Sequence, residues 1–283
     1  MNKTRKIAWL WTIAVCALLS LAASRTEATS ADQLADMLGI SRDTASYSIS
    51  GEKWVDETRK TLAKLTGKIG VPEMIKIGAP AYRHIRNLAE QGESFSVFPE
   101  LVAGELSKVA DYGDVRPKFD GKSERYAKRT LLKAASYVPV KIVRRIPILE
   151  ARTVIGRGWF IQYSPDKAVI KTNGVKLSLH ELGHAFEHSD GRLLRLREEF
   201  YENRTQGKAL RKLNCFSLPF GYGPDEKYRA GFVDRYMGKE GGVEVYSCGL
   251  EYVFFNSRDI WHRDPEVTKF ILGSLIFYGN HFY

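Results

Sequence analysis

One stretch narrows the folds open to this chain more than any other: His180-Glu181-Leu182-Gly183-His184. Residues four apart in an α-helix lie on one face, a turn apart. His180 and His184 therefore present two imidazoles side by side, with Glu181 next to the first. On a helix, an H-E-x-x-H pattern holds one zinc ion with its histidines and uses the glutamate as a base toward water. The flanks Leu177, Leu179, Leu182, Ala185 and Phe186 fit a buried helix. A glycine inside a helix costs about 1 kcal/mol, so Gly183 predicts a close packing partner, expected to be a strand. Ser178-x-x-Glu181 also matches a helix-capping box, but the apolar helical period already begins near Val175.

A catalytic zinc needs three protein ligands and one open position. His188, eight residues after His180, drifts off the ligand face, and Gly191 is expected to end the helix before a third histidine can join. His84, His262 and His281 have no partner at metal spacing. The run Gly241–Glu251 reads as a second helix after a glycine turn. Glu244 and Glu251 lie two turns apart on one face of it. Glu244 is the expected third ligand; Glu251 is the alternative, or an outer partner to a ligating histidine. Their neighbours Val243, Val245, Leu250, Val253, Phe254 and Phe255 are too apolar for a solvated face.

The N-terminus supplies an address. Met1–Lys6 is basic, Ile7–Ala23 is uncharged and apolar, and Ala22-Ala23-Ser24 and Thr26-Glu27-Ala28 place small residues at cleavage-compatible positions. That is the layout of a secretory signal peptide over residues 1–24, with an uncleaved membrane anchor as the alternative. Residues 1–24 hold three of the 43 basic residues; without them 40 basic stand against 33 acidic side chains, a net charge of +7. This favours contact with an anionic surface or an acidic substrate. The charges are dispersed and no nucleic-acid recognition motif is present, so nucleic acid is not an expected partner. Cys215 and Cys248 remain after cleavage; in an exported chain they can pair or stay as two buried thiols.

The 283 residues suit one large domain or two modest ones. Residues 25–49 read as a flexible lead-in with one short helix, Ala31–Leu38. Residues 50–112 read as a helical region, with helices over about 52–69, 72–91 and 99–110. A Gly-, Asp- and Pro-punctuated stretch at 113–122 is the expected linker. Residues 123–283 form the second domain, with helices over 123–136 and 139–146 and strands at 148–154, 159–163 and 168–171. Ala168–Lys171, just ahead of the motif helix, is the expected edge strand for an extended substrate. Residues 214–243 read as a glycine- and aromatic-rich loop lining a cleft.

The phrase His-Glu-Leu-Gly-His-Ala-Phe-Glu-His, followed by Glu-Val-Tyr-Ser-Cys-Gly-Leu-Glu, resembles the zincin domains of phage head-associated proteins and their bacterial relatives. More distantly it is similar to the catalytic domain of anthrax lethal factor. The resemblance covers about residues 123–280 and is specific at the two helices. It implies an α+β, zincin-like metallopeptidase domain, a small sheet plus active-site helices, preceded here by a mainly helical region. It also implies one zinc ion on His180, His184 and Glu244, with Glu181 as base. In those proteins a tyrosine shortly precedes the glutamate ligand. Tyr236 holds that place here and is the expected oxyanion donor, with Tyr163 and Tyr222 as alternatives.

The expected activity is hydrolysis of a protein or peptide amide bond by an exported zinc peptidase, secreted or periplasmic. Two other readings fit the same residues. One is a zincin-fold metal-binding interaction or virulence module without peptidase activity. The other is a hydrolase of cell-wall peptides, which suits the export signal and the positive charge. Membrane contact is expected only through an uncleaved N-terminal segment.

Overall fold

A computed structural model describes residues 42–65, 69–91, 98–112, 116–156, 158–213, 226–255 and 257–281. The expected signal peptide, the short helix at 31–38, Cys215 and Tyr222 lie outside these residues. The chain divides into two units, Met1–Glu52 and Lys53–Tyr283. The first is described only where helix α1 (Arg42–Ala63) begins. That helix starts at Arg42 and not at Glu52, so residues 42–49 are helical and not a loose lead-in.

Helices α2 (Val71–Glu90), α3 (Phe98–Leu106), α4 (Arg125–Ala135) and α5 (Val140–Val143) precede strands β1 (Ile148–Thr153), β2 (Trp159–Ser164) and β3 (Lys167–Thr172). The motif helix α6 (Val175–His188) and α7 (Gly191–Thr205) follow. After them come the short strands β4 (Leu210–Lys212) and β5 (Lys227–Arg229) and a 3₁₀ turn, Glu240–Gly242. Three helices close the order: α8 (Val245–Phe255), α9 (Ser257–Arg263) and α10 (Pro265–His281). The class is α+β, as expected. Met74 and Ile77 of α2, Leu179 and Leu182 of α6 and Ile271 of α10 belong to one hydrophobic core. Residues on both sides of the expected linker at 113–122 thus belong to one core.

Helix α2 shows how that core closes. Pro72 sits in its first turn, where a missing N–H is harmless. Met74, Ile77, Ala81 and Ile85 recur at helical spacing and are fully buried. The helix packs along α10, and the two meet at glycines. A Cβ on Gly78 would stand 1.9 Å from Lys269 O, and one on Gly273 1.8 Å from Met74 O. No rotamer relieves a clash with a backbone carbonyl. Gly273→Val is therefore expected to destabilise the protein by about 3 kcal/mol or more. Urea denaturation reads this as a lower midpoint; a wild-type midpoint would contradict the close crossing.

The three-stranded sheet has β3 at its centre, parallel to β1 and antiparallel to β2. Ala168, Val169 and Ile170 are all buried, the mark of a strand covered on both faces. The expectation that Ala168–Lys171 is an edge strand is thereby corrected, because both its edges are already paired. The outer edge of β1 is occupied as well: Leu149 N–H donates to Lys118 O and Asp120 N–H to Leu149 O, each at 2.8 Å. Among the described residues, β2 has a strand on one side only. It is the edge nearest the motif helix.

Helix α6 begins at Val175 with Gly174 as its N-cap, so Ser178 is not a capping residue. Its hydroxyl instead joins a buried chain, 2.9 Å from Thr172 Oγ1 and 3.0 Å from Thr130 Oγ1, which ties α6 to β3 and α4. The helix ends at His188. Gly191 does not end it but opens α7, capped by Asp190, whose Oδ1 accepts from Arg192 N–H at 2.8 Å. Gly183 does have a close partner, but it is a helix and not a strand. A Cβ there would stand 2.6 Å from Ser247 Cα of α8.

Candidate metal centre

The crossing at Gly183 brings the two expected ligand helices into register. His180 and His184 project from α6, and Glu244 precedes α8, its carbonyl accepting from Cys248 N–H at 3.0 Å. The 3₁₀ turn ahead of it needs glycines: Gly241 and Gly242 have φ of 79° and 66°. His180 Nε2 lies 3.4 Å from Glu244 Oε2, and His184 Nε2 lies 3.3 Å from the same oxygen. Two donors each about 2.0–2.1 Å from one zinc at a tetrahedral angle stand about 3.3 Å apart. These two contacts have the length of ligand–ligand edges around a zinc ion, while the donors that lie within 4.8 Å of one another among the described residues are those of His180, Glu244 and Cys248, so a cation can be held here with His184 beside Glu244.

Each imidazole is also held from behind. His180 Nδ1 is 3.0 Å from Glu251 Oε2, and Lys176 Nζ is 3.0 Å from Glu251 Oε1. His184 Nδ1 is 3.4 Å from Glu187 Oε1. Carboxylate partners of this kind fix the tautomer that leaves Nε2 free as a ligand. The structure thus separates Glu244 from Glu251: one meets both Nε2 atoms, the other a single Nδ1. Glu244 is itself steadied by Ser247, whose hydroxyl donates to Oε2 at 2.8 Å, and by Lys239 Nζ, 3.6 Å from Oε1.

The electrostatics follow from this pairing. Burial alone would depress both imidazoles. Hydrogen bonds to Glu244 and Glu251 outweigh it and lift His180 to about 9; Glu187 and Glu244 lift His184 to about 10. Burial works to raise Glu244, but the same two imidazoles hold it far below the usual carboxylate range. Glu251 is also lowered against burial, by His180 and then Lys176. Without metal the site thus carries imidazolium protons at neutral pH.

A metal that takes both Nε2 lone pairs must displace those protons. About two protons are expected to leave per metal ion bound at pH 7, and affinity should rise with pH until it passes the two folded values. Titration calorimetry in buffers of different ionisation enthalpy reads the release; none at pH 7 would contradict the pairing. Metal-free stability has the opposite slope. Both histidine values lie above the ordinary 6.5, so their contribution is full below 6.5 and is lost as pH rises through about 9 and 10.

Glu181 is 2% exposed. The start of β2 passes directly over it: a Cβ on Gly158 would stand 2.8 Å from Glu181 Oε1 and 2.8 Å from Lys171 O. Further along β2, the Phe160 ring stacks on His184 at 6.3 Å and on His188 at 5.6 Å. His188 therefore flanks the edge strand. Tyr236 stacks on His180, ring centroids 6.4 Å apart. Its turn is pinned by Asp234, which accepts from Tyr236 N–H at 2.7 Å and from the Tyr252 hydroxyl on α8. Tyr163 lies on β2. His84 is remote, stacked on Trp54 and paired with Glu105 at 2.9 Å.

Several neighbours were not assigned to the site from the sequence, Cys248 having been considered only for pairing with Cys215. Cys248 is a buried free thiol. One donor atom each from His180, Glu244 and Cys248 lie within 4.8 Å of one another. Its signal was the i+4 spacing from Glu244. Burial pushes its thiol well up, so it is neutral at ordinary pH. Glu187 had a weaker signal, three residues after His184. Lys239 and Gly158 had none, since neither lies on a helix with a ligand.

Fold and site together describe an α+β protein in which His180 and His184 each meet one oxygen of Glu244, with Cys248 close to His180 and Glu244. No family model, curated protein or solved structure matches the chain.

Proposed function

We propose that this protein is an exported zinc-dependent peptidase. One observation carries the reading: two Nε2 atoms on one helix meet a single oxygen of Glu244, with a buried glutamate next to the first histidine. Zinc held by His180, His184 and Glu244 would polarise a water molecule and bring its pKa toward neutrality. Glu181 would take a proton from water at this site and return it to the leaving amine nitrogen. Its enclosure beneath Gly158 keeps bulk water from the carboxylate. Tyr236, whose ring stacks on His180, would donate its hydroxyl to the developing oxyanion. An extended peptide would add to the edge of β2 that no described strand pairs, which leads past Phe160 to His184. The signal-peptide layout supports a secreted or periplasmic location.

A second reading has its own observation. Cys248 lies close enough to His180 and Glu244 to act as a further donor, and four protein ligands would make a closed, structural zinc site. That would suit a metal-binding interaction module. Incubating zinc-loaded and chelator-stripped protein with a peptide library and with purified peptidoglycan separates the readings. Zinc-dependent cleavage of either is the expected result, and the substrate cut distinguishes a protein peptidase from a wall-peptide hydrolase. A zinc-loaded protein that cuts neither would leave the interaction module.

A further inference from the structure

The sharpest oddity near the site is a buried ion pair with a long contact and unsatisfied atoms on both partners. Glu187 on α6 is 1% exposed and Arg197 on α7 is 7% exposed. Their contact, Arg197 Nη1 to Glu187 Oε1, is 3.4 Å long. Among the described residues, Glu187 Oε2 and Arg197 Nε make no hydrogen bond. Burying two charges pays back only when geometry is good and the remaining donors and acceptors are satisfied. Here neither condition holds, and an apolar pair of similar volume would stabilise the α6–α7 contact at least as well.

The same Glu187 Oε1 lies 3.4 Å from His184 Nδ1. We infer that the Glu187–Arg197 pair is a positioning device for His184. Glu187 accepts the Nδ1–H, which fixes the imidazole tautomer and turns Nε2 toward the Glu244 oxygen. Arg197 holds Glu187 against α7 through the 3.4 Å contact to Oε1, the same oxygen that faces Nδ1. His180 has a parallel arrangement, Glu251 backed by Lys176, built from α8 and the first turn of α6. Each ligand histidine is thus set by a carboxylate, and each carboxylate by a cation. The two arms draw on different helices, which makes α7 part of the metal site although it supplies no ligand.

This inference rests on the zinc reading, and the test separates the two. The double variant Glu187→Leu/Arg197→Met removes both charges and keeps the volume. It is expected to fold and to melt no lower than wild type, yet to bind zinc about 10–100-fold more weakly in chelator competition. The pair Glu187→Gln/Arg197→Met restores a neutral oxygen to Nδ1 and is expected to recover most of that affinity. The cobalt-substituted protein should show a ligand-field spectrum altered in the Leu/Met variant and restored in the Gln/Met variant. Wild-type zinc affinity in the Leu/Met variant would overturn the inference alone. So would failure of that variant to fold, which would make the pair structural. Absence of zinc binding by wild type would overturn the zinc reading and the inference with it.

Discussion

Glu181→Gln is expected to keep its zinc and lower kcat by about 10²–10⁴-fold. The amide has nearly the shape of the carboxylate but cannot take a proton from water. Glu181 is buried under Gly158, so a shape-conserving change is needed; a smaller residue would leave a gap beneath Gly158. Because Glu181 is a base and not a ligand in this account, metal content should match wild type. KM should change little, since the lost interaction belongs to the transition state. Equal turnover by the variant would remove Glu181 from the chemistry. Loss of zinc along with activity would make it a ligand or a structural acid.

The second large effect separates two glutamates that sequence reasoning left as alternatives. Glu244→Ala removes the oxygen that faces both Nε2 atoms and is expected to weaken zinc binding by more than about 100-fold. Glu251→Ala removes only the partner of His180 Nδ1, and about 10–100-fold is expected. The protonation of the metal-free site should move as well. Glu244 raises both histidines, whereas Glu251 raises His180. Histidine titration followed by NMR should therefore fall at both imidazoles in Glu244→Ala and mainly at His180 in Glu251→Ala. A larger affinity loss for Glu251→Ala than for Glu244→Ala would reverse the assignment of ligand and outer partner.

How much of this was legible in the chain depends on the range of the contact. Helix α6 and its histidines follow from a local 3.6-residue period, and α2 begins beside Pro72 as its sequence suggests. The strands at 148–153, 159–164 and 167–172 were also readable as segments. Their order was not: nothing local says that β1, made first, pairs parallel with β3 and leaves β2 at the edge. Three consecutive buried residues, Ala168 to Ile170, were the clue that β3 is central. Gly183 announced a close neighbour, but whether strand or helix was decided by the distant Ser247. Glu244 and Glu251 share a face by periodicity; which ring nitrogen each meets depends on how α8 crosses α6. Strands β4 and β5, three residues each with mostly charged side chains, carry no alternation to read. Arg197 reaches Glu187 across the break between two helices, a contact that spacing along the chain does not encode.

The most direct test is the metal content of mature protein purified without chelators, measured by inductively coupled plasma mass spectrometry beside His180→Ala. About one zinc per chain is expected in wild type and essentially none in the variant. A metal-free wild type, or zinc that stays when His180 is gone, would contradict that expectation.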